Sequence, residues 1–466
     1  MSIVSAYLLP HPPIAIPQIG KGRERGISKT LASFRQVSAE IAKQCPETII
    51  YITPHGTGYA DYFHISPGED ATGDLARFGA PKLVMNASYD TELVDAISRM
   101  AAEMSIPAGT QGEHDPALDH GVTVPMYFVN ESYKDYNTVR ISLSGLEPVM
   151  HYRLGQAIFA AAYRLGKKTV VIASGDLSHK LTSDGPYGFM PEGPKFDNEV
   201  MTYLGKGDFL GLLNIDPLIR EKAAECGYSS IAIMVGCFDG MDVDATKMSY
   251  EGPFGVGYGA VKLLPAKPNS ARNILEQYEI KQLAQIEKKR AGEDPYVALA
   301  RKSLEFTVKK EGIYALSAGE RNVMPDEMRF EKAGAFVSIH KNGMLRGCVG
   351  TIGPAMPNIA EEIIHNAVSA GLKDNRFPPV QKHELPFLTY KVDILDAPES
   401  ISGPGMLDVK QYGVIVESGY RRGLLLPNLD GVDTVPQQIE IALSKAGIKP
   451  DEEYELKRFK VTRHEP

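Results

Sequence analysis

Three histidines stand just beyond apolar runs in this 466-residue chain. Histidine is the residue type that ligates transition metals as a neutral ring and moves protons near neutral pH. His11 sits in Tyr7-Leu8-Leu9-Pro10-His11-Pro12-Pro13, after an apolar run over Ile3–Leu9 that Pro10 stops. His55 sits in Pro54-His55-Gly56, after the run Thr48–Thr53. His179 closes Ser174-Gly175-Asp176-Leu177-Ser178-His179, after the run 169–173. A fourth, His120, follows Asp119, a residue suited to cap a helix over 119–129. Runs this apolar read as strands buried on both faces, and open α/β sheets build their sites just past such strand ends.

Two histidines and one carboxylate on one face of a metal leave three positions open. That arrangement suits Fe(II), which can then take a substrate and O₂ side by side. His11 and His55 supply the imidazoles. The carboxylate must come from another strand end on the same edge. Glu251, in Ser249-Tyr250-Glu251-Gly252-Pro253-Phe254-Gly255, is the choice, with Asp176 or a water as the alternatives. His179 is the candidate acid or base, because an unperturbed pKa of about 6.5 lets it do either. His120 is the candidate donor to a substrate oxygen or to O₂. His114 belongs either to the pocket wall or to the surface, and His64 and His151 read as ordinary structural residues.

The elements that must position these groups alternate strand and helix. Helices are expected over Ser28–Gln44, 91–104, 119–129 and 148–163, and strands over 82–85, 139–143, 248–251 and 257–264. The Gly- and Pro-rich stretch 184–194 is long enough for a lid or site wall. The expected fold is an α/β first domain, a central sheet flanked by helices, followed by a C-terminal α+β domain. Boundaries fall at 1–265 for the first domain, 266–293 for a linker and charged helix, and 294–466 for the second.

In the second domain Asp294 should cap a helix over 295–309. Two strands, 336–340 and 344–349, should form a hairpin across Asn342-Gly343. A helix over 358–372, strands near 388–395, 413–416 and 423–426, a helix over 436–446 and a last strand over 454–461 follow. Within Leu345-Arg346-Gly347-Cys348-Val349-Gly350, Arg346 and Cys348 are two residues apart and should share a strand face. A cation beside a thiol lowers its pKa and favours nucleophilic chemistry. Asp374 and Arg376, in Asp374-Asn375-Arg376-Phe377-Pro378-Pro379, would add polar partners. The competing reading is that Cys348 is a small core residue.

Composition narrows the class. The net charge of −8 argues against a nucleic-acid partner. Four scattered cysteines without a C-x-x-C pair give neither a zinc nor an iron–sulfur signature, and a reduced, cytoplasmic protein is expected. No apolar stretch approaches the roughly 20 residues a membrane helix needs. Gly255-x-Gly257-x-Gly259 lacks the third glycine and the following helix of a dinucleotide loop, and 22–30 lacks the Gly-Lys-Ser/Thr of a phosphate loop. Cys237, on an apolar stretch, reads as core.

Pro10-His11-Pro12, Pro54-His55-Gly56, Asp119-His120-Gly121-x-x-Val124-Pro125 and Leu177-Ser178-His179 together resemble the class III extradiol ring-cleavage dioxygenases. The resemblance is closest to the β-subunit type that cleaves protocatechuate or 2-aminophenol. It implies iron ligation by His11, His55 and Glu251, acid–base work by His179 and a substrate-pocket role for His120. The Memo family shares that fold and the Ser-Asp-Leu-x-His pattern; here Gly175 intervenes between Ser174 and Asp176. The second domain is similar to the AMME-syndrome-region family through 345–350, 374–379 and Gly423-Leu424-Leu425-Leu426-Pro427. The fusion resembles the AmmeMemoRadiSam type, which implies a separate radical-SAM partner, since this chain has no C-x-x-x-C-x-x-C motif of its own.

Two functions therefore stand as expectations. The first is an Fe(II)-dependent dioxygenase for a small catechol- or aminophenol-type substrate, with zinc or manganese as alternative metals. The second is a metal-binding modification or interaction protein without dioxygenase chemistry, in which Cys348 and its neighbours share the work. Homo-oligomerisation is left open; no nucleic-acid or membrane partner is expected.

Overall fold

The structure, a computed structural model, describes residues 2–310, 312–429 and 431–466. The chain forms two compact units, Met1–Glu279 and Ile280–Pro466.

The first unit is built on β1 (Ile3–Leu9), α1 (Ser28–Gln44), β2 (Thr48–Thr53), a hairpin of β3 (Asp70–Leu75) and β4 (Ala80–Ser88), α2 (Thr91–Glu103), α3 (His120–Val129), β5 (Asn137–Ser142), α4 (Pro148–Leu165), β6 (Thr169–Ser174), α5 (Glu192–Lys206), α6 (Tyr228–Gly236), β7 (Met241–Glu251) and β8 (Tyr258–Pro268). Six of these strands form one sheet in the order β5-β2-β6-β1-β8-β7. The first four run parallel, and β8 and β7 are antiparallel additions at one side.

Side chains alternate across the central strands and feed two cores. Ala6, Leu8, Ile50, Ile52, Val171 and Ala173 pack on one face, with Ile97 of α2, Ile158 of α4, Phe196 of α5 and Ile231 of α6. Tyr7, Leu9, Ile49, Tyr51, Val170 and Ile172 pack on the other, with Phe34 of α1 and Phe128 of α3. Both faces being covered is why these strands read as unbroken apolar runs. Register sets the site: Leu9 pairs with Ser174, and Ile52 with Ala173, so β1, β2 and β6 end level at one edge. The 184–194 stretch is in part a loop, pinned by a bridge between Leu181 and Phe189, and α5 begins at Glu192.

A helix over Ile274–Ala291 (α7) precedes the second unit's α8 (Pro295–Lys310), β9 (Gly334–Lys341), β10 (Met344–Gly350), α9 (Ile359–Leu372), β11 (Leu388–Leu395), β12 (Glu399–Ile401), β13 (Gly413–Ser418), β14 (Arg421–Leu425), α10 (Val435–Ala446), β15 (Glu455–Phe459) and β16 (Val461–His464). Two four-stranded antiparallel sheets result, β10-β9-β11-β16 and β12-β15-β13-β14. Val337 and Ile339 of the first pack with Ile363 of α9, and Val414 and Val416 of the second pack with Leu443 of α10. Asn342 and Gly343 take φ of 52° and 81°, the left-handed pair that a tight β9–β10 hairpin needs. The last strand expected over 454–461 is two strands that break at Lys460 and join different sheets.

Candidate metal centre

The level strand ends bring His11 and His55 together edge-on, Nε2 to Nε2 at 3.0 Å, with ring planes 81° apart. His11 is buried, and its Nδ1 lies 2.9 Å from Ser174 Oγ. A proton on Nδ1, donated to Ser174, leaves the Nε2 lone pair directed at His55. The His11 backbone N–H donates to Asp176 Oδ1 at 2.9 Å, so β6 holds His11 from both ends.

Cys226 completes the cluster. Its Sγ is 3.7 Å from His11 Nε2, and one ligand atom each from His11, His55 and Cys226 lie within 4.8 Å of one another. The Asp176 carbonyl accepts from the Cys226 backbone N–H at 3.4 Å and from its thiol at 3.6 Å. That grip depends on two glycines passing backbone to backbone: a Cβ on Gly175 would run into Gly227 Cα.

Two more rings wall the cluster. His120 opens α3, where the Asp119 side chain accepts from Gly121 N–H, and it stacks on His55 at 4.1 Å and 26°. Phe78 also lies against His120, at 5.2 Å. His179 stacks on Tyr187 at 5.1 Å and 24°. Burial lowers the pKa of His11, His55 and His179, and pushes His120 down to about 3, helped by His55 and His11. Burial also raises the Cys226 thiol well above its ordinary value and Asp176 to about 6, against the pull of the His11 N–H. The four imidazoles are thus neutral at neutral pH, in the form that binds metals. Two imidazole nitrogens and a sulfur that gives up its proton on binding fit a borderline or soft transition metal.

The structure does not bring Glu251, the expected carboxylate ligand, into this cluster. It ends β7 on the correct edge, yet β8 stands between β7 and β1. Two strand spacings put it about 10 Å from the end of β1. Its carboxylate instead accepts from Thr30 N–H at 2.8 Å and Thr30 Oγ1–H at 2.9 Å, in the first turn of α1. Asp176, the alternative carboxylate, lies behind the ligands and braces them. His114 is exposed, 5.7 Å from Tyr59, and His64 and His151 are buried away from the cluster. Cys226 is the functional candidate that sequence reasoning passed over, because no second cysteine or histidine accompanies it at a ligand spacing. The available signal was its position in Cys226-Gly227-Tyr228, at the entry to the apolar helix α6.

In the second unit, Cys348 pairs across the hairpin with Ser338, whose hydroxyl lies 3.2 Å from its Sγ. Arg346 does not stand beside that thiol, contrary to expectation. The β9–β10 register shifts between Ile339 and His340, which breaks the simple alternation. The Arg346 guanidinium forks onto Glu384 with two bonds of 3.0 Å. Asp374 and Arg376 are at the thiol: Asp374 Oδ2 accepts the Cys348 N–H at 2.9 Å, and Arg376 donates to the Cys348 carbonyl at 3.2 Å and to Asp374 at 2.6 Å. Burial raises the Cys348 thiol, opposed by Ser338 and Arg376.

Residues 5–261 match the family described as the catalytic LigB subunit of aromatic ring-opening dioxygenase, and residues 297–465 match the AMMECR1 family. A protein of Clostridium acetobutylicum is 43% identical over 100% of this chain and 99% of its own length. A Thermotoga maritima protein is 47% identical over 37% of this chain and 98% of its own. The crystal structure of an uncharacterized protein from Pyrococcus horikoshii shares 30% identity over 36% of this chain and 88% of that one, with a TM-score of 0.34. No helix among the described residues is long and apolar enough to cross a membrane.

Proposed function

The chain belongs to the LigB family of aromatic ring-opening dioxygenase subunits, and from that membership we propose that its first unit is a metal-dependent enzyme for a small catechol- or aminophenol-type substrate. The observation that carries this reading is the convergence of His11, His55 and Cys226 at the carboxyl edge of the parallel strands. Iron or manganese held there would supply Lewis acidity and one-electron chemistry toward O₂, and zinc the Lewis acidity alone. His179, kept neutral by burial, takes the substrate's hydroxyl proton on its free ring nitrogen. Tyr187, stacked on that ring, shields the transfer from water. His120, neutral as well, donates its N–H to a substrate oxygen that becomes anionic. Phe78 offers an aromatic wall beside it.

Cys226 in place of a carboxylate favours a second reading. A thiolate ligand suits a Memo-like metal-binding protein, without oxygenase chemistry, that works beside a separate radical-SAM protein. One experiment separates the two: metal analysis of protein purified without oxygen or chelator, followed by O₂ uptake with catechols and 2-aminophenols. Near-stoichiometric iron that is lost in Cys226→Ala, together with substrate-dependent O₂ uptake, is the expected result. Iron without uptake on any of these substrates would transfer the assignment to the second reading. Full occupancy in Cys226→Ala would remove the proposed ligand set.

A further inference from the structure

Between the end of β6 and the start of α5 the chain forms a strap over residues 180–190. Its base is tied. Leu181 and Phe189 form an antiparallel bridge, and the Met190 N–H donates to the Lys180 carbonyl at 3.1 Å. The Leu181 N–H donates to the Gly255 carbonyl, also at 3.1 Å. The strap crosses Gly255 so closely that a Cβ on Gly185 would come within 3.0 Å of its Cα. The turn is tight: the Gly185 N–H donates to Thr182 and the Gly188 N–H to Gly185, each at 3.2 Å, and Gly188 takes a φ of 74°.

The strap starts beside the metal ligands. His179, the residue before it, donates its N–H at 3.1 Å to the Ala223 carbonyl, in the segment that leads into Cys226. Asp176, just upstream, accepts the N–H groups of both His11 and Cys226. The cluster opens to solvent at His55, which is exposed where His11 is buried. Tyr187, at the tip of the strap, stacks on His179 with ring centres 5.1 Å apart, yet is 57% exposed. The backbone bonds that fix the strap leave this ring free to turn about its own side-chain bonds. Stacking on His179 is a small restraint, since one aromatic pair shifts an equilibrium by about fivefold. An apolar ring held in water at the edge of an open pocket gains when another ring covers it.

We propose that Tyr187 is a specificity-determining residue of the metal centre. Its ring turns inward to lie against the ring of an aromatic chelating substrate while still covering His179. It therefore favours flat aromatic chelators over non-aromatic ones with the same donor atoms. The inference rests on the metal-centre reading above and concerns the part of the substrate that the metal does not touch. Two adjacent oxygen or nitrogen donors satisfy a metal whatever carries them. Only a ring face can tell an aromatic carrier from another, and Tyr187 supplies that face.

The test compares two probes that chelate through two oxygens, catechol and acetohydroxamate, bound without O₂ to the iron(II)-loaded full chain. Tyr187→Ala should weaken catechol binding about fivefold and leave acetohydroxamate unchanged, and Tyr187→Phe should keep both affinities. The chain has no tryptophan, so Tyr187→Trp places a single reporter at the tip. Catechol should lower the acrylamide quenching constant of that reporter, and acetohydroxamate should not. Equal weakening of both probes in Tyr187→Ala, no weakening of either, or a reporter that catechol leaves equally quenched would each overturn the proposal while the metal centre stands. A wild-type chain that takes up no iron, or that binds neither probe when loaded, would instead remove the metal-centre reading and this inference with it.

Discussion

Cys226 and Cys348 are both half-buried thiols beside a sheet, and burial raises the pKa of both. Their neighbours differ in kind. Around Cys226 stand rings that burial keeps neutral, and a carboxyl, Asp176, raised to about 6. Around Cys348 stand full charges in pairs, Asp374 with Arg376 and Asp393 with Arg463. A pocket of uncharged imidazole lone pairs with no ion pair to break is arranged to receive a cation. A cluster whose charges are already paired offers a cation no such gain. The comparison teaches that the ligand class is written in what surrounds the sulfur and in how those neighbours are neutralised, while the sulfur itself is the same in both places.

The hardest test of that contrast is to remove ligands from one side only. His55→Ala and Cys226→Ala should each weaken iron or zinc binding by more than about 100-fold in a competition titration, since on the proposed assignment each deletes a direct ligand, where loss of a mere supporting group costs about 10- to 100-fold. Cys348→Ser should leave metal affinity unchanged. Equal losses in Cys226→Ala and Cys348→Ser would erase the distinction between the two thiols.

Much of this arrangement was legible in the chain. Ile3–Leu9 and Thr48–Thr53 announced themselves as buried strands because both faces are covered, and Pro10 and Pro54 marked where they stop. Asp119 and Asp294 were readable as helix caps, and each side chain accepts from the first turn of its helix. Glu251 was misplaced because sequence reveals the edge at which a strand ends but not its rank in the sheet. The insertion of antiparallel β8 beside β1 is a tertiary event with no local signal. Arg346 was misplaced because a one-residue register shift, invisible in the pattern, undoes the period of two. Cys226 was missed since its partners, His11 after β1 and His55 after β2, both lie more than 170 residues away in the chain.

The scaffolds of the two sites should also break differently. Gly347→Ala forces a methyl into the Ala370 carbonyl, a contact between two backbones that cannot rotate away. It should destabilise the second unit by about 2–3 kcal/mol in denaturant unfolding, at the upper end of overpacking costs. Gly353→Ala, where an added methyl meets open space, is the control and should be near neutral. Metal binding should survive both. Loss of metal in Gly347→Ala would show that the units do not hold their sites independently.

Acid titration sharpens the contrast in the opposite sense for each unit. Asp374 is held well below the ordinary carboxylate range, first by its bond to Arg376. Its contribution is therefore present above the unfolded pKa of about 3.9 and lost as pH falls further. Asp374→Asn should cost stability at pH 7 and progressively less below pH 4. Asp197 is raised to about 7 by burial, although Tyr250 and the Ser178 N–H pull the other way. The folded chain keeps that proton where the unfolded chain has lost it, so wild-type stability falls as pH rises from about 4 to 7. Asp197→Asn should remove this slope, and its melting temperature relative to wild type should rise between pH 5 and pH 8. Parallel pH profiles for the two variants would mean that the two units treat carboxylates alike.

The smallest effect is the most discriminating for the metal centre. Glu251 accepts two hydrogen bonds from Thr30 in the first turn of α1, where a negative charge also meets the positive end of the helix. Glu251→Gln keeps an acceptor oxygen and the side-chain length but removes the charge, so it should cost about 1 kcal/mol of unfolding stability, the scale of a helix-terminal bond. Thr30→Val, which deletes only the hydroxyl side of the same interaction, should cost a comparable or smaller amount. Metal content should be unchanged in both. A Glu251→Gln variant that unfolds like wild type yet loses its metal would require the carboxylate to leave Thr30 and cross the end of β8 to reach His11. The centre would then be a two-histidine, one-carboxylate site after all, with Cys226 as a bystander.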